Sequence, residues 1–421
     1  MRNRLLLAVA AILILAAGLP AAPARAETLK MWGPENITAP ATRALWDKIK
    51  AGFEEENPGV SVEFVPPTGT ISNGAVQAAI QSDAGPDVVW TNSGIGRMTV
   101  VVDAGLIQPL TADYDGGWKD KIYPWLYDML KKQFGGEIYE VPDGLDALAI
   151  FYHKDMFAEH GWTFPENYQG FLDLMQKVQD AGIQPLVAAP NNTGSAGHLF
   201  GNVLQVTAGR DVMGKVVSGE IPWTDKRVVA GISAFADLVK RGFIRPEMAA
   251  LNFDAGTRLF LSRKAAMFVG GPWFIALAQG AGYPLGNLGY TAMPSDLAGE
   301  SIPTGGVGWS YMVPVSSSQP ALARKWIGHL LSDKVMKMRA EDPTSSAIYP
   351  RDLGEDVKPA VPVMADIFGA AEKGVGYNPS VYVPGSTIDT YYQVIQGLIS
   401  GQVTPEQGAA AIAAKMQEAK R

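Results

Sequence analysis

From Glu27 to Trp32 polar and apolar residues alternate (ETLKMW), the period of a half-buried strand. Gly33-Pro34-Glu35-Asn36 breaks it. Leu45, Ile49 and Phe53 then recur every fourth residue, one stripe of an amphipathic helix that Asn57-Pro58-Gly59 stops. Val60, Val62 and Phe64 alternate with polar residues and predict a second strand. Ala75 to Ser82 predicts a helix, and Val88-Val89-Trp90 a short buried strand after Pro86-Asp87. The order βαβαβ predicts parallel strands with helices on both faces.

A second block of the same kind follows Pro142. Ala147–Tyr152 is apolar and strand-like, and Phe171, Leu174 and Val178 mark a helix. Pro185–Ala189 predicts a strand. Ile232, Phe235, Leu238 and Val239 mark a further helix. Ala265–Val269 predicts a buried strand ending at Gly270-Gly271-Pro272-Trp273. A strand over Trp309–Val315, a helix over Ala321–Leu331 and an Ala-rich helix over Pro405–Lys420 complete the pattern. No repeat and no Gly/Ser tether separates the two blocks, so an α/β chain whose halves pack around a cleft is expected.

Composition narrows the chemistry. The 421 residues are 47% apolar and 18% charged, ample for a large core and unlike a disordered chain. With 35 basic and 42 acidic residues there is no excess of positive charge for a nucleic-acid surface. The absence of cysteine excludes disulfides, thiol nucleophiles and lipid attachment at cysteine. Four histidines, none at i, i+4 spacing, give no expectation of a metal centre or other cofactor.

Residues 1–26 form an expected export signal. Arg2 and Arg4 precede an apolar run over Leu5–Leu19, and Ala24-x-Ala26 offers a cleavage site before Glu27. Its loss takes the formal charge from −7 to −10. A free, monomeric protein in the periplasm is expected.

In open parallel sheets ligands sit beyond the carboxyl ends of strands. The candidates there are Glu35 and Asn36 after the first strand, Thr91, Asn92 and Ser93 after the third, Asp146 after Pro142, and Trp273 after the Gly-Gly-Pro break. Gly306 and Trp309 belong to the run Pro303–Trp309, and His198 is placed in a polar, Gly-rich loop from Asn191. Trp46, Trp162 and Trp326 are expected in the core. Gly305-Gly306-x-Gly308 lacks the spacing of a phosphate loop. Indole faces beside amides, carboxylates and hydroxyls suit a sugar, whose C–H faces stack while its hydroxyls need directional partners.

Four stretches carry a family resemblance: Phe53–Val60 (FEEENPGV), Gly85–Val89 (GPDVV), Asp146 through Tyr152-His153-Lys154-Asp155, and Phe260–Met267 through Gly271-Pro272-Trp273. In this order the chain resembles the family 1 extracellular solute-binding proteins, sugar receptors of ABC importers that include the maltodextrin-binding protein. His153 stands where that family usually has Asn, and Arg263 where it has Gly. The resemblance implies the two-lobed periplasmic-binding-protein fold, each lobe a parallel-type sheet flanked by helices, with about three hinge crossings. It implies one lobe from 27–142 with 308–342 and another from 143–307 with 343–421. It further implies that Trp273 stacks on sugar, that Asp146 bonds hydroxyls, that Thr91–Gly94 lies in the cleft, and that Arg351 and Tyr391 contribute.

The expected function is binding of a mono- or oligosaccharide by hinge closure and delivery to the membrane permease subunits, without catalysis. Two alternatives stay open. A secreted carbohydrate-active enzyme would use paired carboxylates, with Asp143 and Asp146 as candidates. A receptor for another solute would need cationic groups for a glycerophosphodiester, or several carboxylates beside aromatics for a polyamine.

Overall fold

The computed structural model describes residues 27–34, 37–71, 74–82, 85–191, 195–343, 349–354 and 356–419. The expected export signal lies outside the described residues.

Among the described residues the nine strands are β1 (Glu27–Trp32), β2 (Val60–Val65), β3 (Val88–Asn92), β4 (Val141–His153), β5 (Gln184–Val187), β6 (Ala265–Gly270), β7 (Leu288–Thr291), β8 (Thr304–Met312) and β9 (Gly376–Tyr377). They form a mixed sheet in the order β2-β1-β3-β8-β4-β6-β5, with β7 on β4 and β9 on β8. The expected parallel pairs are present: β2-β1-β3 at one end and β5-β6 at the other. Between them β8 runs antiparallel to β3, and β4 antiparallel to β8, β6 and β7. The sheet is therefore mixed where parallel-type sheets were expected.

The reason is the length of the two central strands. β4 starts at Val141, six residues before the predicted Ala147, and its 13 residues pair first with β8, then with β6 and β7. β8 starts at Thr304 and ends at Met312, whereas Trp309–Val315 was predicted. The glycines of Thr304–Gly308 give no alternating side-chain signal, yet a Cβ at Gly305 would overlap the carbonyl oxygen of Asp146. Only glycine lets the two backbones approach this closely.

The amphipathic stripes predict the main helices correctly. Leu45, Ile49 and Phe53 are buried in the helix Pro40–Glu56, and Phe171, Leu174 and Val178 in the helix Tyr168–Asp180. Asn167 caps the latter, and Thr404 with Gln407 forms a capping box on the helix Pro405–Glu418. The helix Ser195–Ala208 replaces part of the expected loop. Nearly every residue in it is buried, so its sequence has no polar face to reveal a helical period.

One apolar core joins Leu29, Phe53 and Trp326 and continues across the central strands to Phe268 and Tyr290. Another, with Phe200, Trp223, Phe235 and Tyr391, covers the β5–β6 end. Trp46 and Trp326 are core residues as expected, whereas Trp162 is half-buried and packs on Phe157 and His160. Arg263 adopts φ 62°, a backbone that glycine takes without strain. Its guanidinium makes two bonds of 2.7 and 2.8 Å to Asp155.

No helix among the described residues is long and apolar enough to cross a membrane. No group of three or more His, Asp or Glu placed to hold a metal occurs among them.

Candidate ligand-binding cleft

A cleft of about 700 Å³ lies over the middle of the sheet. Its floor comes from the strands: Asn92 ends β3, Asp146 lies on β4, and Gly308 and Trp309 lie on β8. One wall is the helix Ile95–Asp103, through Gly96, Arg97 and Val100, with Ile71 and Gln77 beside it. His198 on the helix Ser195–Ala208 and Trp273 ahead of the helix Phe274–Gly280 also line the cleft, and Ser380, Val381 and Val383 run along the helix Ile95–Asp103, where a Cβ at Gly96 would run into the Val383 carbonyl. Gly385, Ile388 and Tyr392 of the helix Gly385–Ser400 complete the lining.

Both central strands change register at the floor. Leu145 pairs with Val307 and Gly144 with Trp309, which leaves one extra residue on β8 at Gly308. Pro142 pairs with Ser310, leaving one extra residue on β4 at Asp143. Such shifts re-aim side chains, which is why the consecutive residues Gly308 and Trp309 both reach the cleft. Gly308 leaves room for the Asp146 carboxylate: a Cβ there would fall 2.6 Å from its Oδ1.

The Trp309 indole is stacked on Trp90, with centroids 4.2 Å apart and planes within 5°. Trp90 Nε1 donates to Asp143 Oδ2 at 2.6 Å, which fixes the lower ring and through it the upper one. Trp273 is half-buried, edge-on to Phe253 at 5.2 Å and tilted against His198 at 5.9 Å. Both indoles keep part of a ring open to the cleft.

Two charged side chains line the cleft among the described residues, Arg97 and Asp146. Burial pushes the Asp146 carboxyl up to about 6, and the Arg97 guanidinium pulls the other way. Burial lowers Arg97 from its ordinary value, partly offset by Asp146 and Tyr392. Arg97 also donates to the Ser93 carbonyl at 2.7 Å. His198 is drawn down to about 4 by burial and by Arg97, so it is a neutral imidazole at pH 7, with Nδ1 3.2 Å from the Ser380 hydroxyl.

Beneath the floor lies a polar cluster that does not reach the cleft. Asp143 accepts hydrogen bonds from Trp90, from the Tyr311 hydroxyl and from Arg339, the last at 2.5 Å. The Arg339 guanidinium also lies over Trp46 and Tyr349. Glu140 accepts from the Ser93 and Ser310 hydroxyls, and burial raises its pKa.

Of the residues singled out from sequence, Asn92, Asp146, His198, Trp273 and Trp309 line this cleft. Glu35 and Asn36 lie outside the described residues. The others lie elsewhere. Thr91 and Ser93 are buried on the sheet side, because β3 continues to Asn92 and alternation turns them inward. Gly306 is covered by Tyr382, whose hydroxyl occupies the space a Cβ would need. Tyr391 is wholly buried against Phe200 and Trp223, with its hydroxyl donating to the Gly197 carbonyl at 2.9 Å. One helical step on, the largely buried Tyr392 is the tyrosine that lines the cleft. Arg351 lines a separate cavity of about 180 Å³ with Tyr123, Tyr349 and Phe368, and its guanidinium pairs with Asp333. His198 is a helical residue and not a loop residue.

Sequence reasoning passed over Arg97, Gln77, Ser380 and Tyr392. Arg97 left a trace: it is the only charge before Asp103 in the helix IGRMTVVVD, immediately after a strand end and a Gly break.

The maltotriose-binding protein of Pyrococcus abyssi is 26% identical over 216 residues, 50% of this chain and 43% of that protein. The chain thus spans less than half the length of that relative. Maltodextrin-binding protein MdxE of Bacillus subtilis is 26% identical over 309 residues, 68% of this chain and 66% of that protein. Among solved structures, a probable secreted solute-binding lipoprotein from Streptomyces coelicolor shares the fold. Its TM-score is 0.75 at 18% identity, covering 92% of this chain and 98% of that one. The bacterial extracellular solute-binding protein family matches residues 38–337, and the chain belongs to that family.

Proposed function

We propose that the chain is the substrate-binding component of an ABC importer. It takes a mono- or oligosaccharide in the cleft, closes around it and hands it to membrane permease subunits. One observation carries the reading: two indole faces, Trp273 and Trp309, converge with Asp146, Asn92 and Arg97 on one cleft over the sheet. Indoles take the C–H face of a sugar ring, and the polar groups take its hydroxyls. The sugars in the names of the two curated relatives support it.

The halves joined by β4 and β8 would act as the two lobes, 27–142 with 308–342 and 143–307 with 343–421. The strands β4 and β8 would be two of the hinge crossings. A ligand that touches both lobes shifts the balance towards closure. The protein would work as a monomer in the periplasm, delivered there by residues 1–26.

The paired-carboxylate alternative is not favoured. Asp143 accepts three hydrogen bonds beneath the floor, one of them from a buried arginine, so it has no path to a glycosidic bond. Among the described residues, one arginine beside one carboxylate also supports a neutral ligand over a phosphodiester or a polyamine.

Thermal-shift screening against a sugar library tests the proposal. At a hundredfold excess over Kd a true ligand adds about 2.7 kcal/mol of stability. A flat response across mono- and oligosaccharides would count against a sugar ligand.

A further inference from the structure

The cleft is divided by chemistry. Asn92, Asp146 and Trp309 on the floor, with His198 and Trp273 beside it, bring polar and aromatic side chains to the cleft. The helices Ile95–Asp103 and Gly385–Ser400, which adjoin where Gly96 meets Val383 and Gly385, add aliphatic surface. On the helix Ile95–Asp103, Gly96 and Val100 are four residues apart and share one face; on the helix Gly385–Ser400, Gly385, Ile388 and Tyr392 do the same. Both faces line the cleft, with Val381 and Val383 beside them. Val100 is 50% exposed, one of few large apolar side chains left so open.

Some donors on these walls are engaged within the protein, while Gln77 Oε1 is buried without a partner. Gln77 Nε2 donates to the Ile71 carbonyl at 3.2 Å, and the Ser380 hydroxyl donates to Asn378 Oδ1 at 2.8 Å. Arg97 spends one nitrogen on Ser93. A sugar ring pressed against Val100, Val381 and Ile388 would bury hydroxyls without partners, at a cost of about 1–3 kcal/mol each. A group without hydroxyls would gain from the same surface by losing its contact with water.

We infer that the ligand is a glycoside with an apolar aglycone: the sugar ring sits on the Trp273–Trp309–Asp146 floor, and an aryl or alkyl group lies between Val100 and Ile388. This inference rests on the sugar-receptor reading and specifies the ligand class within it.

Calorimetric titration of the full chain with matched methyl and phenyl glycosides of common hexoses and pentoses, in both anomers, tests it. For at least one sugar the phenyl member should bind roughly tenfold tighter than the methyl member, the gain from burying most of one ring. Val100→Ser and Ile388→Ser should each shrink the phenyl-to-methyl ratio about threefold, whereas Trp273→Ala should weaken both members alike. Equal binding of the two members overturns the inference and assigns the aliphatic walls to closure of the cleft. Tighter binding of an oligosaccharide one ring longer than of the phenyl glycoside overturns it too. If no glycoside or free sugar binds, the sugar reading itself fails, and this inference with it.

Discussion

Gly308 and Asp146 occupy one space: the missing side chain of the glycine is where the carboxylate lies, with Oδ1 2.6 Å from the position a Cβ would take. The register shift on β8 puts the glycine there, and Asp146 is one of the two charges lining the cleft among the described residues. Gly308→Ala should therefore move the carboxylate without straining the backbone. Ligand affinity is expected to fall about tenfold, the scale of one charged hydrogen bond, with little change in melting temperature. Calorimetry beside thermal denaturation checks both halves of the statement.

Asp146 should make stability depend on pH. Its folded pKa of about 6 lies above the unfolded value. Between about pH 4 and 6 the folded chain holds a proton that the unfolded chain has released, so stability falls as pH rises through this interval and is level above it. His198, drawn down to about 4, acts with the opposite sign: its stability is present above its unfolded pKa and is lost as pH falls towards 4. The two slopes oppose each other, so the difference between wild type and Asp146→Asn isolates the carboxylate. The gain in melting temperature of Asp146→Asn should grow from pH 4 to 6 and then stay constant; a gain independent of pH would contradict the assignment.

The two indoles should separate in their effects. Trp273 is held at its edge by Phe253 and His198, and Trp273→Ala should cost about 2 kcal/mol of binding with a small loss of stability. Trp309 forms half of the stack on Trp90, so Trp309→Ala should lower affinity and melting temperature together. Parallel titration and denaturation of the two variants make the comparison.

Arg339 should matter for folding alone. Its bond to Asp143 is buried on both sides, and Arg339→Leu strands a carboxylate whose remaining donors are Trp90 and Tyr311. Loss of about 3–5 kcal/mol in urea denaturation is expected, part of it recovered by adding Asp143→Asn. An unchanged unfolding midpoint would contradict the pairing.

How much of this was legible in the sequence follows from what periodicity can carry. Amphipathic stripes marked the helices Pro40–Glu56 and Tyr168–Asp180, and strand ends followed by Gly or Pro marked Asn92 and Trp273. The helix Ser195–Ala208 was hidden because it is buried all round, and the true start of β8 because glycines have no pattern to read. Tyr391 is buried and Tyr392 lines the cleft, a difference of one helical step that local sequence cannot resolve. Gly306 was chosen where Gly308 gives way to Asp146, because the shift in register depends on the partner strand. Arg351 was placed by resemblance and belongs to another cavity. At position 263, where the resembled family usually has glycine, the backbone keeps a glycine-like φ of 62° around an arginine.

The most direct test of the sugar-receptor account is a crystal structure of the chain with the sugar that gives the largest thermal shift. The account predicts a pyranose or furanose ring stacked on Trp273, its hydroxyls within hydrogen-bond distance of Asp146, and contacts from both ends of the sheet. A sugar bound outside this cleft, or bound in it without touching Trp273 or Asp146, would contradict it.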